Sequence, residues 1–333
     1  MTRTRNRLLA VAALLTLVAT FLMAPSPGLA VQTKLQFSGG PEGGTFQYFS
    51  YGISTLLSKD LSDVKIRNMA SAGSVSNITR VNSGEADFGI AYSGDTYLAR
   101  NGRLTNDDQK YKNVYTVAFL YGAPVHLVVL ADSGIDNLSD LVGKRVAVGG
   151  SGSGAAAAAE RYFGALGLWD KMNIEYLGYS KAASALEEKL IDAMWVLAGF
   201  PTTSIKEVAA GNKIKIIDTW ETGVKGGVFD QYPFYAPVTI PAGIYRGIDH
   251  DVQTFQDSAV WVAGKHVKPE LVYQSAKDIF TAKGLAHMVK VKSTAKAMSV
   301  NGALAGIVTP LHGGAEKFWR EKGLPVTEKQ TAR

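Results

Sequence analysis

No cysteine occurs in the 333 residues. That excludes a disulfide scaffold, a thiolate zinc site and a cysteine nucleophile. Charge is sparse: Asp, Glu, Lys and Arg make up 19% of the chain against 46% hydrophobic residues. Such a balance excludes a disordered polymer and supports a packed core. Histidine is scarce as well. His126, His250, His266, His287 and His312 form no i, i+4 pair that would hold a metal, so each reads as a packed or surface residue. Acids are missing from the first 30 residues, where Arg3, Arg5 and Arg7 supply half of the net charge of +6. The excess left over is too weak to imply nucleic acid as a partner, and the lysines of 290–296 read as a wet helix face.

The basic, acid-free start has the layout of an export signal. Arg3 to Arg7 form the positive segment, residues 8–24 are apolar and uncharged, and Gly28-Leu29-Ala30 offers small residues for cleavage after Ala30. The apolar run is short for a membrane span, and no later run is long enough. The expectation is a cleaved signal over 1–30 and a mature protein in the periplasm.

At about 150 residues per domain, the length allows two domains. What is abundant is glycine, 35 residues of 333, and much of it falls at turns. A strand pattern at 34–37 leads into the turn 38–44, and a helix pattern with Phe46, Phe49, Ile53, Leu56 and Leu57 follows at 3.6 spacing. Strands are expected at 64–69 and 88–91, with helices from Ser74 and Asp95. The pattern then restarts. Strands are expected at 114–120, 126–130 and 145–148, followed by a second glycine-rich turn over 149–154 and an alanine-dense helix over 155–166. Further strands are expected at 173–177, 193–197, 213–217 and 260–263. Residues 218–241 read as poor in helix, the remainder as mostly helical, and the last eight or so residues as frayed. Alternating strands and helices predict an α/β fold with mostly parallel sheets, here in two lobes of similar build.

In such folds ligands bind beyond the carboxyl ends of strands. A glycine turn that opens a helix there presents backbone N–H groups carrying a partial positive charge. It can hold an anion without Lys or Arg. Two such turns plus the Ser74 turn point to a shared cleft. Gly150-Ser151-Gly152-Ser153-Gly154-Ala155 also has the form of a dinucleotide fingerprint, but the Walker A and G-x-S-x-G patterns both fail. Of the aromatics near the turns, Phe46, Tyr48, Tyr92, Tyr97, Phe200 and Phe234 are candidates to wall a pocket.

With these pieces in place, the chain resembles an extracytoplasmic solute-binding protein of a TRAP transporter, of the TAXI type. The resemblance rests on an ordered set of strings: Ser38-Gly-Gly-Pro-Glu-Gly-Gly-Thr-Phe46, Ser71-Ala-Gly-Ser-Val-Ser-Asn77, Ser83-Gly-Glu-Ala-Asp87, Leu138-Ser-Asp-Leu-Val-Gly-Lys-Arg-Val-Ala-Val-Gly149, Ser151-Gly-Ser-Gly154, Ile191-Asp-Ala193 with Ala198-Gly-Phe-Pro201, and Leu311-His-Gly-Gly-Ala315. It implies a two-lobed, type II-like periplasmic solute-binding fold with a hinge and an inter-lobe cleft. Lobe 1 comprises 31–122 plus 240–333, and lobe 2 comprises 123–239. It implies no catalysis, no cofactor and no metal. It also implies delivery of a glutamate- or glutamine-like acid, or a 2-oxo dicarboxylate, to TRAP permease subunits in the membrane; the chain is expected, apart from that resemblance, to be a monomer. The ligand-binding residues implied or expected are Gly43, Gly44, Thr45, Phe46, Tyr48, Ser74, Asn77, Ser93, Asp95, Ser151, Ser153, Gly154, Phe200 and Pro201, with Glu42 or Asp95 facing any ligand ammonium. Pro41-Glu42 and Ser93-Gly94 depart from the family pattern at the expected pocket. The competing readings are a binding protein of an ABC importer or a sensor on the same scaffold, and an exported enzyme or nucleotide-binding protein.

Overall fold

The computed structural model describes residues 32–105 and 107–331; the expected signal lies outside them. Short apolar runs alternate with amphipathic ones, and they form strands and helices in turn. The first series is β1 (Thr33–Ser38), α1 (Thr45–Asp60), β2 (Val64–Met69), α2 (Ser74–Ser83), β3 (Phe88–Tyr92) and α3 (Ser93–Arg100). A long strand, β4 (Val114–Leu130), leads into β5 (Arg145–Ala147), α4 (Gly154–Ala165), β6 (Asn173–Glu175), α5 (Tyr179–Glu187), β7 (Ala193–Leu197), α6 (Thr203–Gly211) and β8 (Ile214–Ile217). Then come α7 (Trp220–Lys225), α8 (Val228–Gln231), β9 (Ala236–Ile240), a second long strand β10 (Val252–Gly264), α9 (Pro269–Ile279), α10 (Ala282–Val291) and α11 (Gly313–Glu321). No helix of the described residues is long and apolar enough to cross a membrane.

The strands lie in the order β2-β1-β3-β10-β4-β7-β5-β6, with β9 on β10 and β8 on β4. The expected α/β fold is present. Parallel pairing joins β1 to β3 and β5 to both β6 and β7. The centre is antiparallel: β10 pairs β3, β4 and β9, and β4 pairs β7 and β8. One strand, β4, covers both 114–120 and 126–130. Its partner is β10 as far as Pro124, then β7 from Val125. Pro124 sits where one ladder ends, so its missing N–H breaks nothing inside a ladder. Each flank has its own aromatic core. Phe37, Phe88 and Trp261 pack on one side, with centroids 5.4–6.3 Å apart. Tyr162, Phe163, Trp195 and Phe255 pack on the other. Each fully buried large side chain contributes roughly 1.5–3 kcal/mol.

Two expectations are corrected. Residues 218–241 contain α7 and α8, because Trp220 and Phe229 stack at 4.2 Å and give these short turns something to pack against. The tail is docked as far as Gln330, which is buried. Its amide donates to the Ile307 carbonyl at 3.0 Å, and its own carbonyl accepts from Leu311 N at 2.8 Å.

Candidate functional site

The loops that leave the strand ends from both flanks meet at one small cavity. From the β1–β3 flank come Pro41, Gly44, Thr45 and Phe46, then Ala72, Gly73 and Ser74, then Tyr92. From the β5–β7 flank come Ser153, Gly154 and Ala155, then Tyr179, then Leu197 and Ala198. Tyr121 of β4 completes the wall. Several of these positions begin helices: Thr45 opens α1, Ser74 opens α2, Gly154 opens α4 and Tyr179 opens α5. Three of those helices have no side-chain cap. In the fourth, Ser153 Oγ accepts from Ala156 N at 3.0 Å. The first N–H groups of each helix have no intrahelical acceptor and carry partial positive charge. No lining residue is Asp, Glu, Lys, Arg or His.

Glycine at two positions lets the flanks come this close. Gly73 has φ 128, a region that side-chain-bearing residues avoid. At Gly154 a Cβ would lie 2.4 Å from Tyr92 Cδ2, 2.5 Å from Asp95 Oδ2 and 2.7 Å from Ser74 Cβ. The contact between flanks is made by hydrogen bonds. Ser76 N donates to Gly152 O at 3.0 Å, Ser180 Oγ to Glu42 O at 3.4 Å, and Thr45 Oγ1 to Gly199 O at 3.4 Å.

Three phenols stand around the cavity. Tyr92 and Tyr179 both donate to the Leu197 carbonyl. The Tyr121 hydroxyl is buried beside Thr45 and makes no hydrogen bond of ordinary geometry. Burial first, and then neighbouring phenols, raise the pKa of Tyr92 and Tyr121 well above the usual value. Burial raises Tyr179 too. All three remain protonated donors at neutral pH.

A charged cluster lies next to this wall. Arg161 of α4 donates through Nη2 to Asp95 Oδ1 at 2.8 Å and through Nε to the Tyr235 hydroxyl at 2.9 Å. Burial opposes its charge, but Tyr235, Asp95 and Asp257 outweigh burial and hold the guanidinium ionised. Asp257 accepts from Gly94 N at 3.2 Å and Ser258 N at 2.7 Å. Burial, followed by the neighbouring Asp95, pushes its carboxyl up to about 7.

Of the expected site residues, Gly44, Thr45, Phe46, Ser74, Ser153 and Gly154 line the cavity. The others do not, each for its own physical reason. Gly43 turns with φ 75, and the place of its missing side chain faces Ser180. Tyr48 lies one helical turn on, under the Lys292 ammonium at 4.8 Å. Asn77 is a strut: it accepts from Ser38 Oγ at 2.7 Å and donates to Gly39 O and Ile90 O at 2.6 and 2.7 Å. Ser93 points the other way, donating to Gly306 O at 2.7 Å. Asp95 lies behind the lining, its Oδ1 accepting from Arg161 and its buried Oδ2 without a partner. Ser151 is exposed at the tip of its turn. Phe200 and Pro201 sit beyond Ala198, where Thr294 bonds the Phe200 carbonyl at 3.4 Å. Glu42 is exposed, and its carbonyl faces Ser180.

Sequence reasoning missed Tyr121, Tyr179 and Leu197. Tyr179 had a legible signal, since Gly178 precedes it directly before a helix. Tyr121 had none, because one aromatic in a β-rich run carries no mark of which way it faces.

A model of the NMT1-like family matches residues 37–323. Among solved structures, the chain is similar to MatC from Rhodopseudomonas palustris with bound malate, at 16% identity over 87% of this chain and 96% of that one, with TM-score 0.53. It is also similar to a putative L-cystine ABC transporter from Listeria monocytogenes, at 15% identity over 81% and 99%, with TM-score 0.51. The periplasmic binding protein BugD gives 14% identity over 87% and 97%, with TM-score 0.51. At these identities the likeness is one of fold.

Proposed function

The chain belongs to the NMT1-like family, and on that premise we propose that it is a periplasmic solute-binding protein that captures a small organic anion. It hands that solute to a membrane transporter and catalyses nothing. The observation that carries this reading is the convergence of the starts of α1, α2, α4 and α5 on one cavity whose lining has no ionised side chain. A carboxylate placed there meets N–H groups from both flanks. Each helix start contributes roughly 0.3–1 kcal/mol at a wet surface and up to about 2 when partly buried. With closure excluding water, these and a few direct hydrogen bonds reach the roughly −8 kcal/mol of a micromolar complex.

The flanks act as two lobes, 31–122 plus 240–333 and 123–239. The hinge lies where β4 changes partners near Pro124. The bonds between flanks, Ser76 to Gly152 and Arg161 to Asp95, are those of a closed form. A neighbouring fold described as a periplasmic binding protein supports a periplasmic location.

For the transport partner, an importer of the ABC type is the reading the neighbouring folds support, since one of them is described as such a protein. A TRAP permease rests on the string resemblance alone. The finer ligand reading, a glutamate-like acid or a 2-oxo dicarboxylate, rests on the same resemblance. Calorimetry on protein refolded free of endogenous solute tests the main claim. Micromolar binding of at least one small organic acid is expected, and silence across the whole panel contradicts it. Cross-linking in native membranes identifies the transporter. Capture of an ABC permease supports the first partner, and capture of a TRAP permease the second.

A further inference from the structure

Solute capture leaves open how many charges the ligand bears. Resting on that reading, we infer that the cavity selects a small monocarboxylate with a neutral oxygen next to its carboxylate, a 2-oxo or 2-hydroxy acid, and that Tyr121 reads that oxygen. The starts of α1, α2, α4 and α5 satisfy one carboxylate. Beyond them, the wall consists of Pro41 and the rings of Phe46, Tyr92, Tyr121 and Tyr179 with Leu197 and alanines. A second carboxylate would be buried there with no cation, since no Lys, Arg or His lines the space.

An ammonium fares no better. No carboxylate lines the cavity. Three carbonyls at or beside the wall are already engaged: Leu197 O by two phenols, Gly199 O by Thr45 and Thr202, and Pro41 O by Gly44 N. Asp95 is not part of the lining; it lies behind Gly154, with Oδ1 held by Arg161 and Oδ2 unpartnered beside that glycine.

Among the lining side chains, one polar group has no hydrogen-bond partner of any kind. Tyr121 lines the cavity, and its hydroxyl is buried beside Thr45 with no hydrogen bond of ordinary geometry. A buried hydroxyl without a partner is unfavourable, and a neutral keto or hydroxyl oxygen on the ligand satisfies it.

The test is calorimetry on refolded, solute-free protein with pyruvate, lactate, 2-oxobutyrate, 2-oxoglutarate, glutamate and alanine, on the wild type and on Tyr121→Phe. The expected result is binding of the three monocarboxylates, with 2-oxoglutarate, glutamate and alanine at least about 100-fold weaker. Tyr121→Phe should unfold no more easily than the wild type, because the hydroxyl makes no hydrogen bond of ordinary geometry, yet bind pyruvate about tenfold more weakly. If a dicarboxylate or an amino acid binds tightest, the inference fails and solute capture stands. If no acid binds, both fail. If Tyr121→Phe binds as tightly as the wild type, the role given to Tyr121 fails.

Discussion

Arg161 is the most exposed point of the physical argument, because it is a charge buried where α4 meets the opposite flank. Its side chain is 3% exposed, and that of Asp95 is fully buried. The guanidinium also lies 5.8–6.0 Å from the ring centres of Tyr232, Phe234 and Tyr235. Arg161→Met keeps most of the volume and removes the charge. It strands Asp95, with Asp257 nearby, in a dry interior. Removing one partner of a buried pair typically costs about 3–5 kcal/mol. A stranded carboxylate has its folded pKa raised above its unfolded value, so the folded form binds more protons. The penalty is therefore small at acid pH and grows as pH rises. Urea unfolding followed by circular dichroism at pH 5 and pH 8 reads both effects. Adding Asp95→Asn to Arg161→Met should recover most of the loss, leaving about 1–2 kcal/mol for the missing hydrogen bonds. A loss below about 1 kcal/mol at pH 8, or no recovery in the double variant, would refute the reasoning.

Asp257 has its folded pKa raised to about 7, so the wild type loses stability as pH climbs from about 4 to about 7. Asp257→Asn keeps the acceptor for Gly94 and Ser258, flattens that slope and gains roughly 1–4 kcal/mol at pH 8; an unchanged slope by urea titration rejects the assignment. Gly154→Ala drives a methyl into Tyr92 and Asp95 and should weaken solute binding more than about tenfold, an overpacking penalty of 1.4 kcal/mol or more. The matched Gly150→Ala, with nothing within 4 Å, should bind normally, and equal affinities in the two variants count against closure. Asn77→Ala severs three buried hydrogen bonds and should lower stability by about 2–4 kcal/mol; a melting temperature equal to the wild type would show that the strut is idle.

The alternation of strands and helices was readable because each helix shows an apolar stripe. In α1 it runs through Phe46, Phe49, Ile53, Leu56 and Leu57, all buried. The antiparallel centre was not readable. Whether 114–120 and 126–130 are one strand depends on what lies beside Pro124, and that is a matter of pairing rather than of local sequence. At the site, backbone positions were legible and side chains were not. Gly44, Ser74 and Gly154 follow from the rule that turns after strands face the ligand. The direction of Asn77 or Ser93 depends on acceptors far along the chain, at Ile90 and Gly306. Arg161 could have been found. It follows Ala158 by three places on α4, which puts it on the face that Ala155, Ala158 and Tyr162 bury.

A crystal structure of the refolded protein with its best-binding acid tests the central claim most directly. The account predicts the ligand carboxylate within about 3.2 Å of main-chain nitrogens at the starts of α1, α2 and α4, with no Lys or Arg touching it. A carboxylate held instead by a basic side chain, or bound outside the cavity of Gly44, Ser74 and Gly154, would contradict it.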